Sequence, residues 1–307
     1  MARPLIIDCD PGVDDAIALL LAFTAPQQLD LLGITTVAGN VPLALTATNA
    51  LKLCELADQT VPVYAGCPRP LLQPLQTAVE VHGATGLQGA TLPDPQQRLQ
   101  PQHGVDFLIE QLLSAPVPMT LAMLGPLTNL AVALIKAPQI VSKIAELVIM
   151  GGAVTHGNIT PAAEFNVYVD PHAAQVVFTA GIPITLITLD TTHQVLTTPE
   201  RLAAIRHINR PAAQAAADLL TYYGTPDIER YGMAGAPLHD PCVIAYLLQP
   251  DLFTTRPAQV AIETQGQHTL GRTVVDWWHS GPPNVSITDS VDAAGLYDLL
   301  TTQLSYL

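Results

Sequence analysis

Lysine is scarce in this 307-residue chain: only Lys52, Lys136 and Lys143 occur, and Lys+Arg total 12 against 26 Asp+Glu. The formal charge of −14 leaves no electrostatic footprint for a phosphate backbone or an anionic lipid, so neither nucleic acid nor membrane is an expected partner. Charge of either sign is thin, at 12% of residues beside 49% apolar ones, which is the composition of a chain with a large core rather than a disordered one. Long hydrophobic runs are missing near the N-terminus. Ala16–Phe23 is too short to span a bilayer, and Asp14 and Asp15 precede it where a signal peptide carries basic residues. Cysteine is limited to Cys9, Cys54, Cys67 and Cys242, with no CxxC pair. That spacing argues against a zinc site or a disulfide framework and for free thiols in a reducing cytosol. The expectation is a soluble cytoplasmic protein with a single domain over residues 1–307.

What is present is a rhythm of short apolar runs and helix-length amphipathic segments. Leu5–Cys9, Leu31–Val37, Met119–Leu124, Ala145–Met150 and Ile184–Leu189 read as buried strands. Asp14–Ala25, Pro42–Ala57, Leu127–Ile135 and Ala173–Thr179 read as the helices between them. This alternation predicts an α/β fold, a mainly parallel central sheet with helices on both faces, in which sites lie beyond the carboxyl ends of the strands. Two stretches break the rhythm and are expected to be long loops, Leu71–His103 and Tyr222–Pro237. Extra strands at Ala258–Glu263, Arg272–Trp277 and Asn284–Ile287 and a final helix at Asp292–Thr302 are expected in the tail.

Four carboxylates fall within eight residues, Asp8-Cys-Asp-Pro-Gly-Val-Asp-Asp15, where the first strand meets the first helix. Strand alternation places Asp8 and Asp10 on one face. Helix capping by Asp14, with Asp15 in the first turn, accounts for two of the four. Crowded carboxylates raise one another's pKa unless a cation neutralises them, and lysine is too rare to serve. A ligand set made of carboxylates points to Ca²⁺ or Mg²⁺. His239-Asp240-Pro241 forms a second acidic site before an apolar helix, where Asp240 is either a cap or a ligand. Gly151–Asn158 and Ala163–Asp170 follow a strand and supply Asn158, Glu164 and Asn166, groups suited to hydroxyl recognition.

Taken together, these segments resemble the nucleoside hydrolases of the inosine–uridine type. The Asp8–Asp15 run resembles that family's DxDxxxDD fingerprint. Leu124-Gly-Pro-Leu-Thr-Asn129 is similar to its central strand-to-helix motif, Glu164-Phe-Asn166 to its substrate loop and His239-Asp240 to its late His-Asp pair. The resemblance implies a Rossmann-like fold and Ca²⁺ held by Asp10, Asp15, Asp240 and the Leu124 carbonyl. It also implies that Asp14 and Asn166 bind the ribose 2′- and 3′-hydroxyls and that Asn158 and Glu164 lie near the 5′-hydroxyl. Asn40 would orient the water and Met150 would pack beneath the sugar. A small-molecule ribonucleoside is the implied partner, and a homo-oligomer, tetramer or dimer, the implied assembly.

Cleaving a ribosyl C–N bond places positive charge on the anomeric carbon and negative charge on the base, which a ring of carboxylates and a proton or hydrogen-bond donor would stabilise. Asp10 is the candidate base for the water. His239 is the candidate partner of the departing base, with His82 as the second. The His82 loop and Gly232–Pro241 look more like the pyrimidine-preferring branch, since Trp277 and Trp278 lie in a late strand segment rather than at a base pocket. Of Tyr222, Tyr223 and Tyr231, Tyr231 is the one assigned to the base, with amphipathic packing the alternative for the other two. The competing readings are an aspartate-nucleophile phosphatase, which would need cationic clamps, and a ribonucleoside-binding protein without catalysis.

Overall fold

The structure, a computed structural model, describes residues 2–307 except for the side chains of residues 224–231. The first half of the chain runs β1 (Arg3–Cys9), α1 (Val13–Phe23), β2 (Leu29–Thr36), α2 (Leu43–Leu56), β3 (Val63–Ala65), α3 (Val79–His82) and α4 (Gly104–Ser114). Next come β4 (Met119–Met123), α5 (Thr128–Lys136), β5 (Ile144–Met150), α6 (Phe165–Val169), α7 (Pro171–Phe178) and β6 (Ile184–Ile187). They are followed by α8 (Leu189–Thr192), β7 (Leu196–Thr197), α9 (Pro199–Arg206), α10 (Pro211–Tyr231), β8 (Ala236–Pro237) and α11 (Pro241–Leu248). The tail adds β9 (Phe253–Ile262), β10 (Thr273–Asp276), β11 (Val285–Val291) and α12 (Ala293–Leu304).

Nine strands form one sheet in the order β10-β9-β11-β6-β5-β4-β1-β2-β3. β3 through β11 in that order are parallel, and β9 and β10 join antiparallel at one edge. Along β1, Leu5, Ile7 and Cys9 enter the core on one face while Ile6 enters the core on the other, so the run is apolar throughout, as a strand covered on both sides requires. α1 is buried along its whole length, beneath α10 and α11, which accounts for its uninterrupted apolar sequence after Asp15. α4, α5 and α7 cover the opposite face.

β2 and β3 extend from one side of β1 and the chain then returns to the other side as β4, so the strand order reverses between β1 and β4. At such a switch point two adjacent carboxyl ends diverge and leave a crevice. Asp8–Asp10 and Leu124 sit at those two ends, joined by the Leu124 N–H donating to the Asp8 carbonyl at 2.8 Å.

One expected loop is corrected. Tyr222–Pro237 is not a long loop: α10 continues to Tyr231, and only a short turn precedes β8. Within Leu71–His103 the one helix is the single turn of α3, which carries His82. No helix among the described residues is long and apolar enough to cross a membrane.

Candidate active site

Pro11-Gly12 turns the chain from β1 into α1 under tight steric limits. A Cβ at Gly12 would lie 2.5 Å from His82 Nδ1 and 2.7 Å from Asn40 Nδ2, so glycine is what lets three segments meet. Gly12, not Asp14, is the N-cap of α1. Asp15 reaches back to accept the Gly12 N–H at 2.9 Å and the Asp10 N–H at 3.1 Å, pinning the turn. Asn40, beyond β2, donates its backbone N–H to Asp10 Oδ2 at 2.7 Å and its side-chain amide to the Asp10 carbonyl and to Asp15. Its amide protons therefore hold the two carboxylate residues in place.

The structure brings one carboxylate oxygen each of Asp14, Asp15 and Asp240 within 4.8 Å of one another. Asp240 stands at the N-cap position of α11 with Pro241 next, yet its carboxylate makes no capping hydrogen bond, so capping does not account for it. Asp10 lies alongside: its Oδ1 is buried without a hydrogen-bond partner and packs on Gly125, where a Cβ would sit 2.4 Å away. Burial, reinforced by the neighbouring carboxylates, pushes Asp10 and Asp240 well above the usual carboxylate range and Asp15 up to about 6. Among the described residues no lysine or arginine forms an ion pair with Asp10, Asp15 or Asp240. A buried, all-oxygen set in which Asp10 keeps an orphaned oxygen fits a hard divalent cation.

Beneath the cluster, Asp8 accepts from the Thr35 hydroxyl and from Asn129 Nδ2, and burial raises it to about 7. Asn129 also donates to the Thr36 carbonyl at 3.0 Å and accepts the Cys67 N–H at 2.7 Å, stitching β1, β2 and the segment after β3 together. The last residue of the Leu124–Asn129 motif thus holds the floor under the carboxylates.

Across the crevice, Asn166 donates to the Leu124 carbonyl at 2.7 Å and contacts both the carbonyl and the sulfur of Met150. Asn166 is held by Glu164, the N-cap of α6, whose buried carboxylate accepts the N–H groups of Gly152, Asn166 and Val167 at 2.9, 2.8 and 3.1 Å. Burial outweighs those bonds and lifts Glu164 to about 7. Asn158 accepts the Phe165 N–H at 2.9 Å from an exposed position. Replacing Glu164 with Gln turns a triple acceptor into a group with an NH₂ facing one of those N–H donors. The expected result of Glu164→Gln is a loss of about 1–3 kcal/mol of stability in urea unfolding.

Two buried histidines border the crevice. His82 Nδ1 accepts the Val13 N–H at 3.1 Å, so that nitrogen carries no proton, and its 3.9 Å approach to Asp14 is not an ion pair. Burial lowers His82 to about 4 and His239 to about 3. His239 Nδ1 lies 2.7 Å from the Thr192 hydroxyl. Tyr231 was the tyrosine expected at the base, but its side chain lies outside the described residues. Tyr223, for which packing was an equal alternative, is buried with its hydroxyl 3.5 Å from Asp14 and its ring 5.5 Å from that of His82. No sequence signal separated it from Tyr222.

The sequence profile of the inosine-uridine preferring nucleoside hydrolases matches residues 5–298. The chain is 47% identical over 309 residues to the pyrimidine-specific ribonucleoside hydrolase RihA of Photobacterium profundum, covering 99% of each chain. Two solved structures superpose with a TM-score of 0.92. One is a plant nucleoside hydrolase at 33% identity over 99% of both chains. The other is a purine-preferring ribonucleoside hydrolase from Gardnerella vaginalis at 32% identity over 99% of this chain and 98% of that one. A crevice of carboxylates at the switch point of a parallel sheet, matched over nearly its whole length, places the chain in the inosine–uridine preferring nucleoside hydrolase family, enzymes that hydrolyse the N-glycosidic bond of ribonucleosides.

Proposed function

We propose that the enzyme cleaves pyrimidine ribonucleosides, uridine and cytidine, to ribose and free base with Ca²⁺ held by Asp10, Asp15, Asp240 and the Leu124 carbonyl. The observation that carries the proposal is the convergence of the Asp14, Asp15 and Asp240 carboxylates, with the orphaned Oδ1 of Asp10 alongside and Asn166 bonded to the Leu124 carbonyl. The pyrimidine preference rests on the relatives near 45% identity, and family membership replaces the phosphatase reading. When bound, the ion supplies charge neutralisation and a template for hydroxyl oxygens.

This chain's own residues carry the rest. Asp14 and Asn166 hold the 2′- and 3′-hydroxyls, Asn158 and Glu164 the 5′ end, and Met150 the underside of the sugar. Water adds to C1′ as the C1′–N bond breaks with its electron pair on the base, Asp10 takes one water proton, and the base collects a proton from solvent. Asp10 Oδ1, buried without a hydrogen-bond partner, is the oxygen free to accept the water proton. His82 and His239 are neutral near pH 7, so each acts on the base as a hydrogen-bond donor rather than as a cation.

Reducing-sugar release from uridine, cytidine, inosine and adenosine in the presence of Ca²⁺ tests the reading. Uridine and cytidine should exceed inosine in kcat/KM by about tenfold or more. Inosine turning over faster overturns the base preference, and uridine binding without ribose release overturns the enzymatic reading in favour of a binding protein.

A further inference from the structure

His239 can support a departing base through Nε2 only if that nitrogen carries a proton, and the structure contains a group placed to favour this at Nδ1. Thr192 closes α8, the single turn directly after β6, and is fully buried. Its hydroxyl lies 2.7 Å from His239 Nδ1 and 3.4 Å from the Leu189 carbonyl. That carbonyl already accepts the His193 N–H at 2.9 Å. A hydroxyl has one proton to give, and although the Leu189 carbonyl keeps a second lone pair, 3.4 Å is long for an O–H···O bond whereas 2.7 Å to the ring is short. We infer that Thr192 is a positioning residue: it donates to His239 Nδ1, which fixes the Nε2–H tautomer and leaves that N–H to stabilise the negative charge developing on the base.

The same logic holds at His82, where the Val13 N–H occupies Nδ1, so both histidines present the same tautomer by different donors. Neighbouring contacts keep α8 in place. Thr191 bonds to Thr288 on β11, and Asp190 accepts from the backbone of Val154 and Thr155 in the loop after β5. The His193 ring sits 5.8 Å from that of His239 and makes no hydrogen bond to it among the described residues. Among the described residues Thr192 supplies the short contact to Nδ1.

The inference rests on the hydrolase reading, and its test separates the two. Uridine needs help at its departing base, whereas p-nitrophenyl riboside carries a leaving group stable as an anion. Thr192→Val keeps the shape and removes the donor. The ratio of uridine to p-nitrophenyl riboside turnover should fall about tenfold or more, and Thr192→Ser should restore most of it. Nitrogen-15 NMR of the wild-type ring near neutral pH should show the proton on Nε2. A ratio within about threefold of wild type, equal losses on both substrates, or a wild-type ring protonated on Nδ1 overturns the role of Thr192. Wild-type enzyme that cleaves neither substrate overturns the hydrolase reading instead.

Discussion

Asp10→Asn should fold normally and lose uridine turnover by about three orders of magnitude, the upper part of the range for removing a positioned general base. The substitution is close to isosteric, and its amide oxygen can still accept the Asn40 N–H that Asp10 Oδ2 accepts at 2.7 Å. What it removes is the negative charge and the proton-accepting power of Oδ1, the oxygen left without a hydrogen-bond partner. At saturating Ca²⁺, which offsets the weakening of a proposed ion ligand, the loss should fall on kcat more than on KM, since Asp14 and Asn166, the residues assigned to the hydroxyls, are untouched. Asp10→Ala should be at least as inactive but less informative, because it also leaves the Asn40 N–H buried without an acceptor. Steady-state rates with urea unfolding as the folding control make the measurement. Turnover by Asp10→Asn within about tenfold of wild type would remove Asp10 as the base and shift attention to Asp14, which stands in the tighter carboxylate trio.

The acidic turn was legible because its chemistry is local: four carboxylates between a strand and a helix fall in eight consecutive residues. The strand alternation was legible for the same reason, since burial on both faces leaves an unbroken apolar run such as Leu5–Ile7. Sequence failed where contacts across the fold decide the outcome. Tyr222–Pro237 reads as a long loop, yet α10, packed on α1 and α9, continues to Tyr231. Tertiary packing overrides a weak local preference in this way. Tyr223 meets Asp14 across a separation of 209 residues, and nothing in its own neighbourhood distinguishes it from Tyr222. Thr192 belongs to no motif, and its short contact with His239 is made across 47 residues. Asp240 reads as a cap or a ligand in sequence, and the missing capping bond removes the first of these.

Removing the divalent ion should abolish turnover and make stability depend on pH in a definite direction. Without the ion, burial holds Asp8 at about 7, Asp15 at about 6 and Glu164 at about 7 in the folded chain. In the unfolded chain the same groups titrate near about 4. A folded-state pKa above the unfolded value means that the native state binds more protons over the interval between them. The stability contributed is complete below about pH 4 and is lost as pH rises through 6 to 7. EDTA-treated protein should accordingly melt at lower temperature near about pH 8 than near about pH 5. Returning Ca²⁺ reverses the preference at Asp15 and its neighbours, because a cation stabilises their charged forms. The melting-temperature gain on adding Ca²⁺ should thus be larger near about pH 8 than near about pH 5. At free Ca²⁺ about a thousandfold above its Kd, that gain should correspond to about 4 kcal/mol, and ribose release should return with it. A calcium effect of equal size at both pH values, or ion-free protein that becomes more stable as pH rises, would show that the cluster does not bury its charge around the ion.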